Sequence, residues 1–190
     1  MPAGANWAAV SGLVAEIHME EGAGHLMGGL ALSFICMDTI AYLSRPAGQA
    51  THTRAEFISW VDKYLRGHHD QPYQYRGLDV YAARCAVLHT YGSKAALHRA
   101  DPSTKLFGYH DGGRHMHDPN ENARLVLIGL LSFLNDVRIA VGEFMKDCAT
   151  DPALRELVEP RLGSLLTHLP LLTPASSGAL DNRGGHSGRS

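Results

Sequence analysis

The sequence predicts a mostly α-helical fold: one bundle domain of about six helices, interrupted by a short β-hairpin or irregular insertion. Three observations predict it. Apolar residues recur at helical spacing along most of the chain, the gaps between these runs carry Gly and Pro, and one stretch, 92–120, loses the helical pattern. Of the 190 residues, 45% are hydrophobic and 19% charged, which supplies a core without disulfide staples. The domain is expected over 1–173, and the Ser-, Gly- and Asn-rich tail 174–190 is expected to be disordered.

The first helix is expected over 6–21, with Asn6 as N-cap and Trp7, Val10, Val14 and Ile17 at helical spacing. Gly22-Ala23-Gly24 breaks it, and a second helix follows over about 25–44 until Arg45-Pro46 stops it. Within that helix, Leu26 to Leu43 is an 18-residue run with a single charge, Asp38. The run is at the short limit for a membrane span, and no aromatic belt or basic flank brackets it. It reads as a buried core helix, with no membrane partner.

Thr51 or Thr53 caps a third helix whose apolar stripe is Phe57, Trp60, Val61 and Tyr64. Gly67 to Tyr75 is a polar, Pro-containing loop. The fourth helix is expected from about Gly77 to Thr90, with Leu78, Tyr81, Cys85 and Leu88 on one face and Asp79 and Arg84 on the other. Next, Lys105–His110 and Arg114–His117 flank Asp111-Gly112-Gly113, a hairpin signal. A fifth helix is expected over about Glu121 to Cys148. A sixth begins at Asp151-Pro152, a cap followed by Pro at the first helical position, and ends near His168 to Pro170.

Charge and cysteine usage narrow the function classes. A formal net charge of −2 gives no global basic field to draw in a long nucleic acid, but leaves room for a short single strand in a local cleft. The cysteines Cys36, Cys85 and Cys148 are odd in number and widely spaced, which favours a reducing cytoplasm over a disulfide framework. Met1 to Asn6 carries no basic residue ahead of an apolar run, so no secretory signal is expected.

The candidate site lies on the fourth helix, in Arg84-Cys85-Ala86-Val87-Leu88-His89-Thr90-Tyr91. Arg84 is the only Lys or Arg between Arg76 and Lys94, while His89 and Tyr91 stand where the chain leaves the core. Helical positions five apart differ by about 140° in direction and roughly 7.5 Å along the axis, so the two side chains are not expected to stack: they border one groove or meet their counterparts from a second helix across a two-fold axis. The pair suits phosphodiester cleavage without a metal. A neutral imidazole takes a proton from a ribose 2′-hydroxyl or returns one to the leaving 5′-oxygen, and a guanidinium holds phosphate oxygens as charge builds up.

Arg-x4-His on the later helix of an all-α domain resembles the HEPN superfamily, and the longer Arg84-x4-His89-x-Tyr91 resembles the toxin half of nucleotidyltransferase–HEPN toxin–antitoxin pairs. The resemblance covers the four central helices. It implies a metal-independent endoribonuclease that uses no cofactor, with RNA as substrate, a homodimer whose cleft lies between protomers, and a cognate antitoxin. Arg84 and His89 are the residues it carries over, with Tyr91 as the tyrosine that the antitoxin nucleotidylates. Cys85 stands where the family has a polar residue, and the 92–120 insertion lengthens the chain. The alternative is a non-catalytic HEPN-like module that binds a nucleotide, an RNA end or a protein.

Asp38 belongs to both readings. A carboxylate in an apolar helix is costly unless paired, and Arg84 is the expected partner, either orienting the guanidinium for catalysis or completing a purely architectural pair. Cys85 is expected in the core. The chain holds twelve histidines, an excess over ordinary usage. His68-His69-Asp70 and the set His110, Asp111, His115, His117, Asp118 contain metal-ligand residue types, but not in a recognised metal spacing, and no metal site is assigned. The hairpin histidines are alternatively read as lining a nucleic-acid groove.

Overall fold

The computed structural model describes residues 7–166. Helices α1 (Ala8–Gly22), α2 (Leu26–Ser44), α3 (Arg54–Tyr64), α4 (Gly77–Thr90), α7 (Leu130–Thr150) and α8 (Pro152–Leu162) form the bundle. Between α4 and α7 run two short helices, α5 (Ala96–Ala100) and α6 (Pro119–Asn122), and two strands, β1 (Leu106–His110) and β2 (Leu125–Gly129). The fold is mostly α, as its periodicity predicts, with a small two-stranded sheet inserted.

The centre is α2. Its apolar residues surround the whole helix, the pattern of a core element, although Ile35 stays 42% exposed. It packs against α1, α3, α4, α7 and α8, with Leu30, Phe34, Met37, Ile40 and Ala41 fully buried. Among the described residues it is the one helix long and apolar enough to cross a membrane, and half of that stretch is buried by its neighbours. Close approach to α7 depends on Gly29, where a Cβ would stand 3.2 Å from Leu134 Cδ1. The α1–α2 turn uses Gly24 at φ +77°, a conformation that Gly adopts without strain.

Two caps set where α3 and α8 begin. Thr53 Oγ1 accepts from Ala55 N at 3.1 Å, and Glu56 reaches back to Thr53 N, which completes a capping box. Asp151 caps α8 by accepting from Ala153 N and Leu154 N, with Pro152 at the first helical position.

The insertion departs from the expected hairpin. β1 pairs with β2 in parallel, in the register Leu106↔Leu125 to His110↔Gly129, and Met116 bridges antiparallel to Leu127 on the other side of β2. The Asp111-Gly112-Gly113 loop therefore does not join two neighbouring strands. It packs over Gly129, where a Cβ would come within 2.6 Å of Gly112 O and 2.7 Å of Arg114 N. The helix expected from about Glu121 is one turn of α6 followed by β2, and α7 starts only at Leu130. A short apolar run such as Leu-Val-Leu-Ile fits either a buried strand or a buried helix turn by pattern alone, and pairing with β1 decides it.

α8 stops at Leu162, ahead of the expected His168–Pro170 boundary. Asn6, expected as the first cap, and the tail 174–190 lie outside the described residues.

Candidate functional site: a guanidinium between two histidines

α4 buries a face different from the expected one. Val80, Ala82, Ala83, Ala86 and Val87 are buried, whereas Leu78, Tyr81, Cys85 and Leu88 are only half-buried. Small side chains let α4 approach its neighbours closely, and Gly77 carries the approach furthest. A Cβ there would lie 2.5 Å from the Ile58 carbonyl oxygen, and Gly77 N donates to Asp62 Oδ1 at 2.6 Å. The larger apolar residues are displaced to the rim. Asp79, expected on the outer face with Arg84, is fully buried and is held by Arg76, Tyr73 and the Lys105 backbone N–H.

Arg84 meets three groups. Its Nε and Nη2 donate to the same oxygen of Asp38, Oδ2, at 2.8 and 2.5 Å. Its Nη1 lies 3.2 Å from His89 Nε2 and 3.8 Å from Cys85 Sγ. Burial works against the guanidinium charge, but the hydrogen bonds and attraction from Asp38 outweigh it and hold the Arg84 pKa above its ordinary value. Because a guanidinium only donates, His89 Nε2 must accept, which makes the ring the neutral Nδ1–H tautomer. Cys85 thus lies half-buried beside a cation rather than in the core; the core thiols are Cys36 and Cys148, and burial pushes the Cys36 thiol up to about 12.

The expected pairing of Arg84 with Asp38 appears in the geometry, whereas Arg84 and His89, expected to stand apart across a groove, are in direct contact at 3.2 Å within one chain. His89 is exposed, and Tyr91 is 71% exposed. Tyr91 also ends α4 in the left-handed conformation at φ +49°, a position that usually takes Gly. Its backbone N–H caps the helix by donating to Val87 O.

One member of the cluster was not anticipated. His52 Nε2 stands 3.4 Å from Asp38 Oδ1, the carboxylate oxygen that Arg84 leaves open and that has no hydrogen-bond donor. His52 directly precedes the capping Thr53, so the start of α3 positions it. Asp38 thus bonds Arg84 through Oδ2 and faces His52 with Oδ1, and the side chains of Asp38, Arg84 and His52 are 17%, 19% and 24% exposed.

The histidines of the insertion serve other ends. His115 is buried; its Nδ1 accepts from Gly129 N at 3.1 Å, so Nε2 carries the proton and donates to Tyr75 Oη at 2.6 Å. Tyr75 in turn donates to Asp136 Oδ2 at 2.9 Å. Burial, and secondarily the nearby His110, push the His115 pKa down to about 4, while burial pushes Asp136 up. His98 ties Ala95 N to Lys105 O and so holds α5 against the start of β1.

Part of the histidine excess thus consists of rings that bond backbone and buried side chains. His115 is enclosed in this network and does not line a groove, unlike the reading of the hairpin histidines as a nucleic-acid surface. Among the described residues, no three His, Cys, Asp or Glu side chains gather as a group able to hold a metal ion.

The sequence carried a signal for this second network. Asp136 is a carboxylate on the buried face of α7, a weaker contrast than Asp38 because Asn135 and Arg138 stand beside it.

Comparison with known proteins gives no match: no family model, no curated protein and no solved structure aligns significantly with this chain.

Proposed function

We propose that the chain is a metal-independent endoribonuclease of HEPN type that works at Arg84 and His89. The observation that carries this reading is the 3.2 Å contact between the Arg84 guanidinium and Nε2 of an exposed imidazole, with Asp38 fixing the guanidinium from the other side. The contact lies within one chain, so these two groups meet without a second copy.

The chemistry follows from the donors. A phosphodiester entering the site replaces the imidazole on Nη1 and takes the Nη2 N–H that Asp38 leaves free, which places two donors on its non-bridging oxygens. His89 Nε2, released from Arg84, takes the proton of the ribose 2′-hydroxyl. The 2′-oxygen attacks phosphorus, the bond to the 5′-oxygen breaks, and the products are a 2′,3′-cyclic phosphate and a 5′-hydroxyl. A positioned imidazole contributes about 10²- to 10⁴-fold to such a step. In the toxin form of this reading, the exposed phenol of Tyr91, two residues after His89, accepts a nucleotidyl group from a cognate antitoxin.

Incubation of the full chain with end-labelled single-stranded RNA in EDTA tests the proposal. Cleavage to cyclic-phosphate ends is expected, with DNA of the same sequence left intact and His89→Ala at least about 100-fold slower. No cleavage by the wild type, or no change in His89→Ala, rules the nuclease out.

A second reading draws on a different observation. Two of the Arg84 N–H groups already rest on Asp38, so the pair completes itself without a ligand. A non-catalytic HEPN-like module would bind a nucleotide, an RNA end or a protein at this surface and leave RNA whole in the same assay.

A further inference from the structure

Cleavage of a phosphodiester through its 2′-hydroxyl needs two proton transfers, one off the attacking oxygen and one onto the leaving oxygen. His89 provides for one of them. We propose that His52 is the second catalytic histidine, the acid that protonates the 5′-oxygen, so that one protomer holds a complete acid–base pair with Arg84 between its members. This inference rests on the nuclease reading above.

The placement of His52 supports the role. Its ring comes from the segment before α3, whereas His89 comes from the end of α4, and Asp38 of α2 stands between the two sides, with Oδ2 bonded to Arg84 and Oδ1 3.4 Å from His52 Nε2. Asp38 Oδ1 is buried and has no hydrogen-bond donor, and His52 Nε2–H is the group poised to supply one. With Nε2 turned toward Asp38 Oδ1, Nδ1 is the ring nitrogen left to exchange protons. The other charged group near His52 is Glu56 of α3, which is itself engaged with Thr53 in the capping box. Arg84 of α4 lies across Asp38.

The step balances. The 2′-proton passes to His89 Nε2 as the new O–P bond forms. The P–O5′ bond breaks with its electron pair on the 5′-oxygen, which takes a proton from His52 Nδ1. The cycle leaves His89 protonated and His52 neutral, and exchange with water resets both. The groups that titrate around this pair are Asp38, Glu56 and the two imidazoles.

Paired substrates test the assignment. The full chain, His52→Gln, His52→Asn and His89→Ala are each assayed on a uridine-containing RNA and on uridine 3′-(4-nitrophenyl phosphate), whose leaving group departs without a proton. His52→Gln and His52→Asn are expected to cleave RNA about 10²- to 10⁴-fold more slowly at little-changed KM, yet to keep the nitrophenyl ester within about threefold of wild type. His89→Ala loses both substrates.

The kcat–pH profile on RNA is expected to be bell-shaped for the wild type and to lose its alkaline limb in the His52 variants. Equal loss on both substrates, or RNA cleavage and a bell unchanged in folded His52 variants, overturns the role of His52 while leaving the nuclease reading intact. A wild type that cleaves neither substrate overturns both.

Discussion

Arg84 places two N–H groups on a single oxygen of Asp38, a residue 46 positions earlier in the chain. The second oxygen is left for His52, and the third arm of the guanidinium is left for His89.

The pair is expected to behave as a unit. Asp38→Ala leaves a mostly covered guanidinium without its counter-charge and should cost about 1–3 kcal/mol, below the value for a fully buried pair because water still reaches both groups. Asp38→Ala combined with Arg84→Met should recover most of that loss while remaining inactive on RNA. Urea denaturation of the single and double variants checks the coupling. A double variant no more stable than Asp38→Ala would show that the two residues act independently.

Tyr91 occupies a Gly position at the end of α4. A non-Gly residue held at φ +49° carries a backbone cost that Gly avoids, so Tyr91→Gly is expected to raise stability by up to about 1 kcal/mol. Thermal unfolding measures it. Stability gained alongside lost activity or lost modification would show that the phenol is retained at a structural cost.

The buried network makes stability pH-dependent. His115, with its pKa pushed down to about 4 in the folded protein, stays neutral where the ring in the unfolded chain is already protonated. Between about pH 4 and 6.5 the unfolded state therefore binds more protons, and stability rises with pH across that window by up to about 3 kcal/mol, then levels off. Asp136, whose pKa burial pushes up, works the opposite way just above the ordinary carboxylate range and offsets part of the rise at its acid end. Unfolding curves from pH 4 to 8 for wild type and His115→Gln test this, and the variant should lose most of the slope.

Tyr75 links His115 to Asp136, so its hydroxyl is satisfied from both sides. Tyr75→Phe strands one buried acceptor and one buried donor and should cost about 1–3 kcal/mol. Combined with Asp136→Ala the losses should fall short of additive, with a coupling of about 0.5–3 kcal/mol. Additive losses in a double-mutant cycle would count against a connected network.

Gly77 sets how α4 lies against α3. A Cβ 2.5 Å from a backbone carbonyl oxygen cannot be relieved by a side-chain rotation, so Gly77→Ala should cost about 1–3 kcal/mol or more. For a domain of this size that is a melting-point drop of several degrees, at roughly 2–4 °C per kcal/mol. A melting point equal to wild type would mean that α4 moves away from α3 at no cost.

Periodicity made the six principal helices legible because they bury apolar stripes, and α2 is apolar all round with half of its stretch buried. It misled on α4, where small residues pack innermost and Leu78, Tyr81 and Leu88 are left at the rim. It misled again at Leu125–Gly129, because strand or helix there depends on a partner 19 residues away in the pairing Leu106↔Leu125. Arg84, His89 and Asp38 were legible as polar residues in apolar surroundings. His52 was not, since it sits in a polar stretch where one more histidine carries no contrast, and only the fold brings it to Asp38.

Arg161 of α8 donates to the carbonyls of Leu43, Arg45 and Pro46, the unfinished C-terminal end of α2. That end leads directly into the segment carrying His52. The turn that presents His52 is thus fastened by a residue more than a hundred positions downstream, and a nascent chain gains that fastening only after α8 has left the ribosome. Until then the end of α2 is held only by local bonds, from Arg45 to Tyr42 O and from Gln49 N to Pro46 O, and the protein being synthesised has its guanidinium and carboxylate in hand before it has the full frame around them.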